Sequence, residues 1–294
     1  MTDPSKPARL RVALGQGVGA HRGVSAEDVR RNGAIIRTLI GEAAAAGARL
    51  VTFTEGALSY PTKRAISADP DRVTVADWTK YAWDAVEEEL RAIAKAAAEH
   101  SIWVVVGCLT RQVDPSHPCN SLVVIDDHGT TIGRYDKRHV SRNEDAVYQL
   151  TRGSEPLIFT VDGIRFGCLL CIEGMLPELV IEYETLEADA LVLATMTEGP
   201  DPSNEDQRVL ALAEMADLWV LQPTSALEPD WLGSSVAWPG YRWLVRGTPG
   251  EQPSVVIADL DLAVDDWRVR AGRESGRPWR QRQRRLLAAR MTAR

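Results

Sequence analysis

The sequence predicts a protein of the α/β class, in which a mixed sheet is covered by helices. Short apolar runs rich in branched side chains recur along the chain, and helical patterns of apolar residues lie between them in both halves. Hairpin turn signals separate two pairs of these runs. Strands that alternate with helices are typical of α/β folds. The strand–helix–strand order before the hairpins is loosely repeated after them, which indicates two stacked sheets.

Local patterns define the elements of the first half. Ser25, followed by Glu27 and Asp28, is a favourable helix start because it combines a capping hydroxyl with acids in the first turn. The run from Ile102 to Gly107 is continuously apolar, as expected of a strand buried on both faces. We expect strands at 10–14, 50–54, 102–107, 121–125 and 131–135, and helices at 25–47 and about 76–99.

The second half continues this alternation. Asp162 and Gly163 predict the turn of a second hairpin. The stretch 223–253 is rich in proline, glycine and tryptophan, and we interpret it as either a pocket wall or an interface. Because no long linker divides the chain, we predict one domain over residues 1–275 and a basic tail over 276–294. The elements expected here are strands at 157–161, 164–171, 190–194, 218–222, 234–238 and 254–260, and helices near 176–187 and 205–217.

Composition and charge argue against several classes of protein. The chain has 294 residues, of which 45% are hydrophobic, so it can bury a sizeable core. Its net charge of −7 argues against a general nucleic-acid binder. No apolar run approaches the roughly 18 residues that span a bilayer, and the first residues contain no apolar signal core. The cysteines, at 108, 119, 168 and 171, lie mostly in or beside apolar strands, so we expect reduced thiols in a cytoplasmic protein.

The tail differs from the rest of the chain. After Asp266, ten arginines accompany a single acid, Glu274. Such a tail could bind nucleic acid or another anionic partner, or it could dock on an acidic body or a second subunit. We favour docking, because the remainder of the chain must be more acidic than −7 to offset the tail.

Three reactive side chains each stand at the end of a predicted strand. Glu55 follows the strand at 50–54, Lys137 follows the strand at 131–135, and Cys171 ends the run that begins at Ile164. A thiol at the mouth of a strand suits a nucleophile, because the turn exposes backbone N–H groups to a developing oxyanion. A glutamate can take the thiol proton, and an ammonium group can stabilise the anions. This set suits attack on a carbonyl or nitrile carbon that bears nitrogen.

Other interpretations of the cysteines have less support. A Cys–His pair is possible, but none of the histidines lies in a context that favours one with Cys171. Cys168 and Cys171 form a Cys-x-x-Cys pair, yet Cys108 and Cys119 stand apart and supply no second pair for zinc. Because residues three apart on a strand face opposite sides, we predict that Cys168 is a core residue.

Three segments together resemble the signatures of the nitrilase superfamily of carbon–nitrogen hydrolases. They are Phe53-Thr54-Glu55-Gly56, Tyr135-Asp136-Lys137-Arg138-His139 and Gly167-Cys168-Leu169-Leu170-Cys171-Ile172-Glu173, the last followed by Leu176-Pro177-Glu178. Their order and relative spacing fit as well, and the resemblance covers roughly residues 9–275. It implies a four-layer αββα sandwich, a Glu-Lys-Cys triad and back-to-back dimers.

The resemblance also implies a role for each site residue. Glu55 resembles the general base, Lys137 the transition-state stabiliser and Cys171 the nucleophile. Lys137 and the backbone N–H of Ile172 would hold the oxyanion. Glu144, shortly after the lysine motif, matches a second glutamate that holds the lysine or positions the substrate.

The chain departs from the family pattern after the cysteine. Ile172 and Glu173 stand where many members have an aromatic residue and then aspartate, and Leu176 stands where an aromatic residue usually precedes the proline. We expect these positions in the pocket wall, with Ile172 and Glu173 in the substrate-binding or oxyanion set. Further specificity positions are expected in 56–66 and 195–205.

These patterns predict a thiol hydrolase that cleaves a non-peptide carbon–nitrogen bond of a small molecule, with no metal and no organic cofactor. An amide or N-carbamoyl substrate is the first expectation and a nitrile the second. A transferase that passes the acyl group to an amine stays open, as does a catalytically silent member that acts as an interaction protein. We expect no nucleic-acid or membrane partner, and a homodimer or higher homo-oligomer.

Overall fold

Two six-stranded sheets form the centre of the computed structural model. The structure describes residues 9–69, 71–112, 117–196, 203–225, 228, 231–261, 269 and 271–292. The first sheet contains β1 (Arg9–Gln16), β2 (Leu50–Thr52), β3 (Trp103–Thr110), β4 (Cys119–Ile125), β5 (Thr131–Asp136) and β12 (Ser254–Asp261). The second contains β6 (Ile158–Val161), β7 (Ile164–Leu170), β8 (Ala190–Ala194), β9 (Trp219–Gln222), β10 (Ser235–Trp238) and β11 (Arg242–Arg246).

Helices pack on the outer faces of both sheets. The first begins at the predicted cap, where the Ser25 hydroxyl accepts from the Asp28 N–H and the Asp28 carboxylate accepts from the Ser25 N–H. The helices are α1 (Ala26–Ala45), α2 (Lys63–Ile66), α3 (Trp83–His100), α4 (Pro177–Thr185), α5 (Ser203–Ala216) and α6 (Arg277–Thr292). Within the described ranges, no helix is long and apolar enough to cross a membrane.

The apolar side chains sort into two cores that separate the layers. One core lies between the two sheets and beneath α4 and α5, and it includes Leu10 and Val12 of β1 with Phe166 of β7. The other lies between the first sheet and the helices α1 and α3, and it includes Ala13 of β1 and Ile36 of α1. Because side chains alternate along a strand, β1 contributes to both cores. The layers follow the order helix, sheet, sheet, helix, which confirms the predicted αββα sandwich.

Because of the strand directions, the carboxyl ends of β2 and β5 lie at the same end of the first sheet. The strand order in this sheet is β12-β1-β2-β3-β4-β5. β2 runs parallel to β3, and β5 also runs in the direction of β3 because β4 is antiparallel to both of its neighbours. The segments that follow β2 and β5 therefore lie at the same end of the sheet as the start of β4.

The long helix of the first half begins later than the sequence predicts. Trp78–Lys80 form a short 3-10 turn, Tyr81 is extended, and α3 starts only at Trp83. The Trp78 indole N–H donates to the Tyr148 carbonyl at 2.9 Å. Burial of this indole against a distant carbonyl outweighs the local helical periodicity on which the prediction depended.

The stretch 223–253 contains a strand that the sequence analysis missed. β11 pairs antiparallel with β10 at the edge of the second sheet. Trp243 and Val245 pack against the core between the sheets, whereas Leu244 is exposed. The guanidinium of Arg242 lies 3.7 Å from the ring centre of Trp238. In this strand Arg242 and Arg246 bracket only three apolar residues, and Gly240 and Gly247 stand close to its two ends, so the strand pattern is too short to be recognised.

The basic tail docks on acidic residues of its own chain. Glu184 of α4 is fully buried, and its carboxylate accepts hydrogen bonds from Arg280, at 2.8 and 2.6 Å, and from Arg284. Arg280 also donates to Asp217. These contacts confirm the favoured interpretation of the tail as a docking arm. The division of the chain at residues 275 and 276 stays a prediction.

Candidate active site

A buried ion-pair cluster joins Lys137 to two of the predicted glutamates. Its ammonium nitrogen lies 2.8 Å from Oε1 of Glu55 and 2.8 Å from each carboxylate oxygen of Glu144. The three side chains are 5% exposed or less. Buried charges are tolerated where they are paired and hydrogen-bonded, and here two carboxylates share one ammonium. The structure thus brings together three of the residues that the sequence singles out.

A close approach between β3 and the end of β2 positions Glu55. A Cβ atom added to Gly107 of β3 would lie only 2.2 Å from the Thr54 carbonyl oxygen. The Thr54 hydroxyl donates to the Thr195 carbonyl at 2.6 Å, which ties this strand end to the second sheet. The Met196 N–H donates to Oε2 of Glu55 at 3.3 Å. The glutamate is therefore held through its backbone as well as its carboxylate.

Asn120 belongs to the same cluster, and the sequence analysis missed it. Its Nδ2 lies 2.7 Å from Oε1 of Glu55 and 2.8 Å from Oε1 of Glu144. Its backbone carbonyl accepts from the Lys137 N–H at 2.8 Å, which continues the pairing of β4 with β5. The Tyr60 hydroxyl also donates to Oε1 of Glu144, at 3.2 Å. The available signal was a fully buried amide at the start of an otherwise apolar strand.

Opposite charges keep Lys137 and Glu144 ionised. Burial lowers the pKa of Lys137, but the charges of Glu55 and Glu144 outweigh burial and hold that pKa above its ordinary value. Burial raises the pKa of Glu144, yet the charge and hydrogen bonds of Lys137 outweigh it and hold the pKa below its ordinary value. An ammonium and an ionised Glu144 therefore coexist at neutral pH.

Cys171 stands at the junction of β7 and a 3-10 turn, Cys171–Met175. Its φ of 50° lies in the left-handed region, which a side chain other than glycine rarely adopts. Cysteines 108, 119 and 168 are buried, whereas Cys171 is partly exposed. Backbone strain of this kind recurs at functional sites because the surrounding structure must hold it. The turn therefore presents the Cys171 sulfur at the end of the strand.

The environment of Cys171 favours the protonated thiol at rest. Burial and the carboxylate charge of Glu55 raise the pKa of Cys171 well above its ordinary value, against the opposing charge of Lys137. The carboxylate charge of Glu144 acts on this pKa in the same direction. The sulfur can therefore become a strong nucleophile only when a neighbouring group removes its proton, and Glu55 is within reach.

Glu173 holds protein groups through both of its carboxylate oxygens. Oε1 accepts from the backbone N–H groups of Arg138, at 2.8 Å, and His139, at 3.1 Å. Oε2 accepts from the Tyr135 hydroxyl at 2.8 Å and the Leu170 N–H at 2.9 Å. The residue is fully buried. Its position argues against the predicted substrate contact, and we revise its role to a link between the cysteine turn and the segment that follows Lys137.

The other positions singled out in the sequence differ in where the structure places them. Ile172 follows Cys171 in the 3-10 turn, and the first N–H groups of a helical turn have no acceptor within it, so this N–H can donate elsewhere. Cys168 is fully buried in the core, as predicted. His139 is exposed. The predicted specificity segment 195–205 lies partly outside the described residues.

The acidic side chains of the site face a cation of the protein itself. Among the residues that the structure describes, no group of three or more His, Cys, Asp and Glu side chains is arranged to hold a metal ion. The acids of the cluster instead face the Lys137 ammonium. The chemistry of the site is that of a thiol, an ammonium and carboxylates.

The fold and this site define a carbon–nitrogen hydrolase. The family model described as carbon-nitrogen hydrolase matches residues 11–268. The chain therefore belongs to this family, and the resemblance stated from the sequence is confirmed. An amidase from Nesterenkonia sp. has a similar structure, with a TM-score of 0.72 over 95% of this chain and 100% of that chain, at 19% sequence identity. This likeness shows the shared fold.

Relatives at the sequence level carry names from both amide and nitrile chemistry. The chain is 26% identical over 176 residues to 2-oxoglutaramate amidase of Bacillus subtilis (strain 168), which covers 58% of this chain and 66% of the relative. It is 30% identical over 256 residues to an arylacetonitrilase of Aspergillus niger, which covers 76% of this chain and 74% of the relative.

Proposed function

We propose that this protein is a thiol hydrolase that cleaves the carbon–nitrogen bond of a small amide or N-carbamoyl compound through an acyl-enzyme on Cys171. One observation carries the proposal. A partly exposed cysteine in a strained turn lies beside a glutamate, and one oxygen of that glutamate is held by a buried lysine. This arrangement supplies a nucleophile, a base and a cation in one place.

The first half of the cycle forms the acyl-enzyme. Glu55 takes the proton of the Cys171 thiol as the sulfur attacks the substrate carbon, and the carbonyl electron pair moves onto oxygen. Glu55 then returns this proton to the leaving nitrogen. The carbon–nitrogen bond breaks, ammonia or an amine departs, and a thioester remains on Cys171.

The second half consumes water. Glu55 takes a proton from water as the water oxygen attacks the thioester carbon. Collapse of the second tetrahedral anion breaks the carbon–sulfur bond, and Glu55 returns the proton to the sulfur. The same carboxylate thus acts twice as a base and twice as an acid, which requires that one of its oxygens stays accessible to Cys171.

Lys137 and the Ile172 N–H stabilise the tetrahedral anions. Both oxygens of Glu144 lie 2.8 Å from the Lys137 nitrogen, so they can share one ammonium hydrogen. A second hydrogen bonds Glu55, and the third is then free for the substrate oxyanion. Glu144 holds the ammonium in this orientation. A donor of this kind lowers the barrier by about 3 kcal/mol.

A nitrile substrate is the second candidate, and the similarity to an arylacetonitrilase favours it. The first attack is the same, but it forms a thioimidate. Water must then add to the thioimidate carbon and the nitrogen must be protonated, after which ammonia leaves and the thioester remains. The panel below separates the two, because each substrate class is offered by itself.

We also propose a cytoplasmic location and a homodimer. Free thiols at all four cysteines support a reducing compartment. The homodimer rests on the family resemblance.

The test is a turnover assay with a panel of amides, N-carbamoyl amino acids and nitriles. We expect release of ammonia or amine from at least one substrate class, and an acyl adduct on the intact protein by mass spectrometry. Cys171→Ala and Cys171→Ser should lose both signals and stay folded, whereas Cys108→Ala, which removes a buried thiol elsewhere, should keep them.

Three outcomes would contradict the proposal. Full turnover in Cys171→Ala would exclude the acyl-enzyme. A wild-type protein that gives neither release nor adduct with any substrate would instead point to a catalytically silent member. Transfer of the acyl group to an added amine, at the expense of the acid product, would redefine the protein as a transferase.

A further inference from the structure

We propose that Asn120 is a positioning residue that clamps Glu55 and Glu144 and thereby leaves a single oxygen of Glu55 to act as the base. The inference rests on the proposed function, because it concerns which atom of the same site carries the proton. It assigns a task to a side chain that lies outside the signature motifs.

The clamp follows from the hydrogen bonds of the cluster. Oε1 of Glu55 and Oε1 of Glu144 each accept from Lys137 Nζ and from Asn120 Nδ2, at 2.7 to 2.8 Å. The amide group of Asn120 supplies two N–H donors, and one points at each glutamate. Lys137, which follows β5, and Asn120, which lies on β4, thus both donate to the same two carboxylate oxygens.

The orientation of the amide is determined by its neighbours. If the Asn120 side chain were turned over, its carbonyl oxygen would lie within 2.8 Å of two carboxylate oxygens, with no hydrogen between them. In the observed orientation, Oδ1 is buried and has no hydrogen-bond partner among the described residues. An unpaired buried acceptor costs about 1–3 kcal/mol. The two N–H bonds to carboxylates are therefore favoured even at that cost.

Occupation of one Glu55 oxygen directs the chemistry to the other. Oε1 holds two short hydrogen bonds to Lys137 and Asn120, whereas Oε2 accepts only the longer bond from Met196 N–H, at 3.3 Å, among the contacts of described residues. An oxygen that already accepts two strong hydrogen bonds is a poorer proton acceptor. Oε2 is therefore the better base for the Cys171 thiol.

Asn120 also contributes to the charge balance of the site. The groups that face the two carboxylates are Lys137, Asn120, the Tyr60 hydroxyl, the Ser141 N–H, the Met196 N–H and the Cys171 thiol. Lys137 is the only one of these that is charged at neutral pH, so one positive charge faces two negative charges. The neutral N–H donors of Asn120 favour the ionised carboxylates without adding a second cation.

The experiment compares pH profiles of kcat/KM and kcat for wild type and Asn120→Ala on a substrate found by the panel. Loss of two donors to carboxylates raises the pH at which the glutamate pair ionises. We expect the acid limb of kcat/KM to move to higher pH by about one unit. We expect kcat at the optimum to fall about 10–100-fold, with KM within about threefold, since the substrate contacts are unchanged.

Asn120→Asp and Asn32→Ala complete the design. Asn120→Asp keeps the shape and replaces the donors with a third carboxylate, so the acid limb should move at least as far. Asn32 is also buried, but its amide donates to the His21 and Leu58 carbonyls, so Asn32→Ala should lower stability and leave the acid limb in place.

The outcomes separate the two proposals. If both Asn120 variants kept the wild-type kcat and the wild-type acid limb of the pH profile, the proposed role of Asn120 would be wrong. The proposed hydrolase function would not be affected. An equal shift in Asn32→Ala would also overturn it, since general loosening would then explain the effect. A wild-type protein without cysteine-dependent turnover would overturn the proposed function itself.

Discussion

At the scale of single residues, the site is organised by hydrogen-bond capacity. Glu173 accepts four bonds, which is the capacity of two carboxylate oxygens that each take two donors. These bonds reach the residue before Cys171 and the two residues after Lys137. A carboxylate outside the proposed triad thus links the strand end before Cys171 to the segment that follows Lys137.

Replacement of this carboxylate by an amide should damage the protein. In Glu173→Gln, an NH2 group replaces one oxygen and faces two donors instead of accepting from them. We expect the free energy of unfolding to fall by about 2 kcal/mol or more, measured by urea denaturation. The matched control is Glu178→Gln, at an exposed position in the first turn of α4, which should change stability by less than about 0.5 kcal/mol. If the two variants were equally stable, the four hydrogen bonds of Glu173 would make no net contribution to the free energy of unfolding.

The sequence predicted the charged members of the site but not the neutral one. Glu55, Lys137 and Cys171 stand out because each follows a predicted strand. Asn120 stands just before the predicted strand 121–125, where an amide is an ordinary polar residue of a strand start. Its importance depends on which groups its side chain meets in the folded protein, and the local pattern does not give them. The contacts of Glu173 depend on the packing of two segments that are distant in the sequence, so they could not be predicted either.

At the scale of elements, strand ends determine where the reactive groups lie. The bare backbone of Gly107 lets β3 approach the segment that carries Glu55. A side chain there would collide with backbone atoms, which cannot rotate away. The hydrophobic patterns predicted most strands within a few residues, whereas β11 and the start of α3 depend on tertiary contacts of Trp243 and Trp78.

Gly107→Ala tests this approach. The new methyl carbon would lie 2.2 Å from the Thr54 oxygen and 2.7 Å from the Gly56 nitrogen. We expect a loss of about 1–3 kcal/mol in stability and a fall of about 100-fold in kcat/KM, since displacement of Glu55 by an ångström misaligns the base. Gly250→Ala is the control, because a Cβ there meets nothing within 4 Å. Unchanged turnover in Gly107→Ala would mean that the strand end shifts without cost.

At the scale of the whole molecule, two cores and four layers are completed by the basic tail. The α/β class and the stacked sheets followed from alternation in the sequence, and the acidity of the body predicted that the tail would dock. The partner residues could not be predicted, because an acid such as Glu184 reads as an exposed helix residue. Only the packing of α4 against α6 reveals that it is buried.

Removal of the tail arginines should leave a buried charge uncompensated. We expect the double variant Arg280→Ala/Arg284→Ala to lose about 3 kcal/mol of stability, measured by chemical denaturation. Addition of Glu184→Leu to that variant should restore most of the loss, because no buried charge remains. Arg282→Ala, at an exposed position on the same helix, should have little effect. A double variant as stable as wild type would show that Glu184 does not need these partners.

The pairing of Glu184 with Arg280 has a consequence for the order of events during synthesis. The two residues are 96 positions apart. At a translation rate of about 5–20 residues per second, α4 leaves the ribosome about 5–20 seconds before its cations. Throughout that interval Glu184 lacks the two guanidinium groups that pair with it in the folded protein. The buried ion-pair network of α4 can therefore be completed only after translation has passed the arginines.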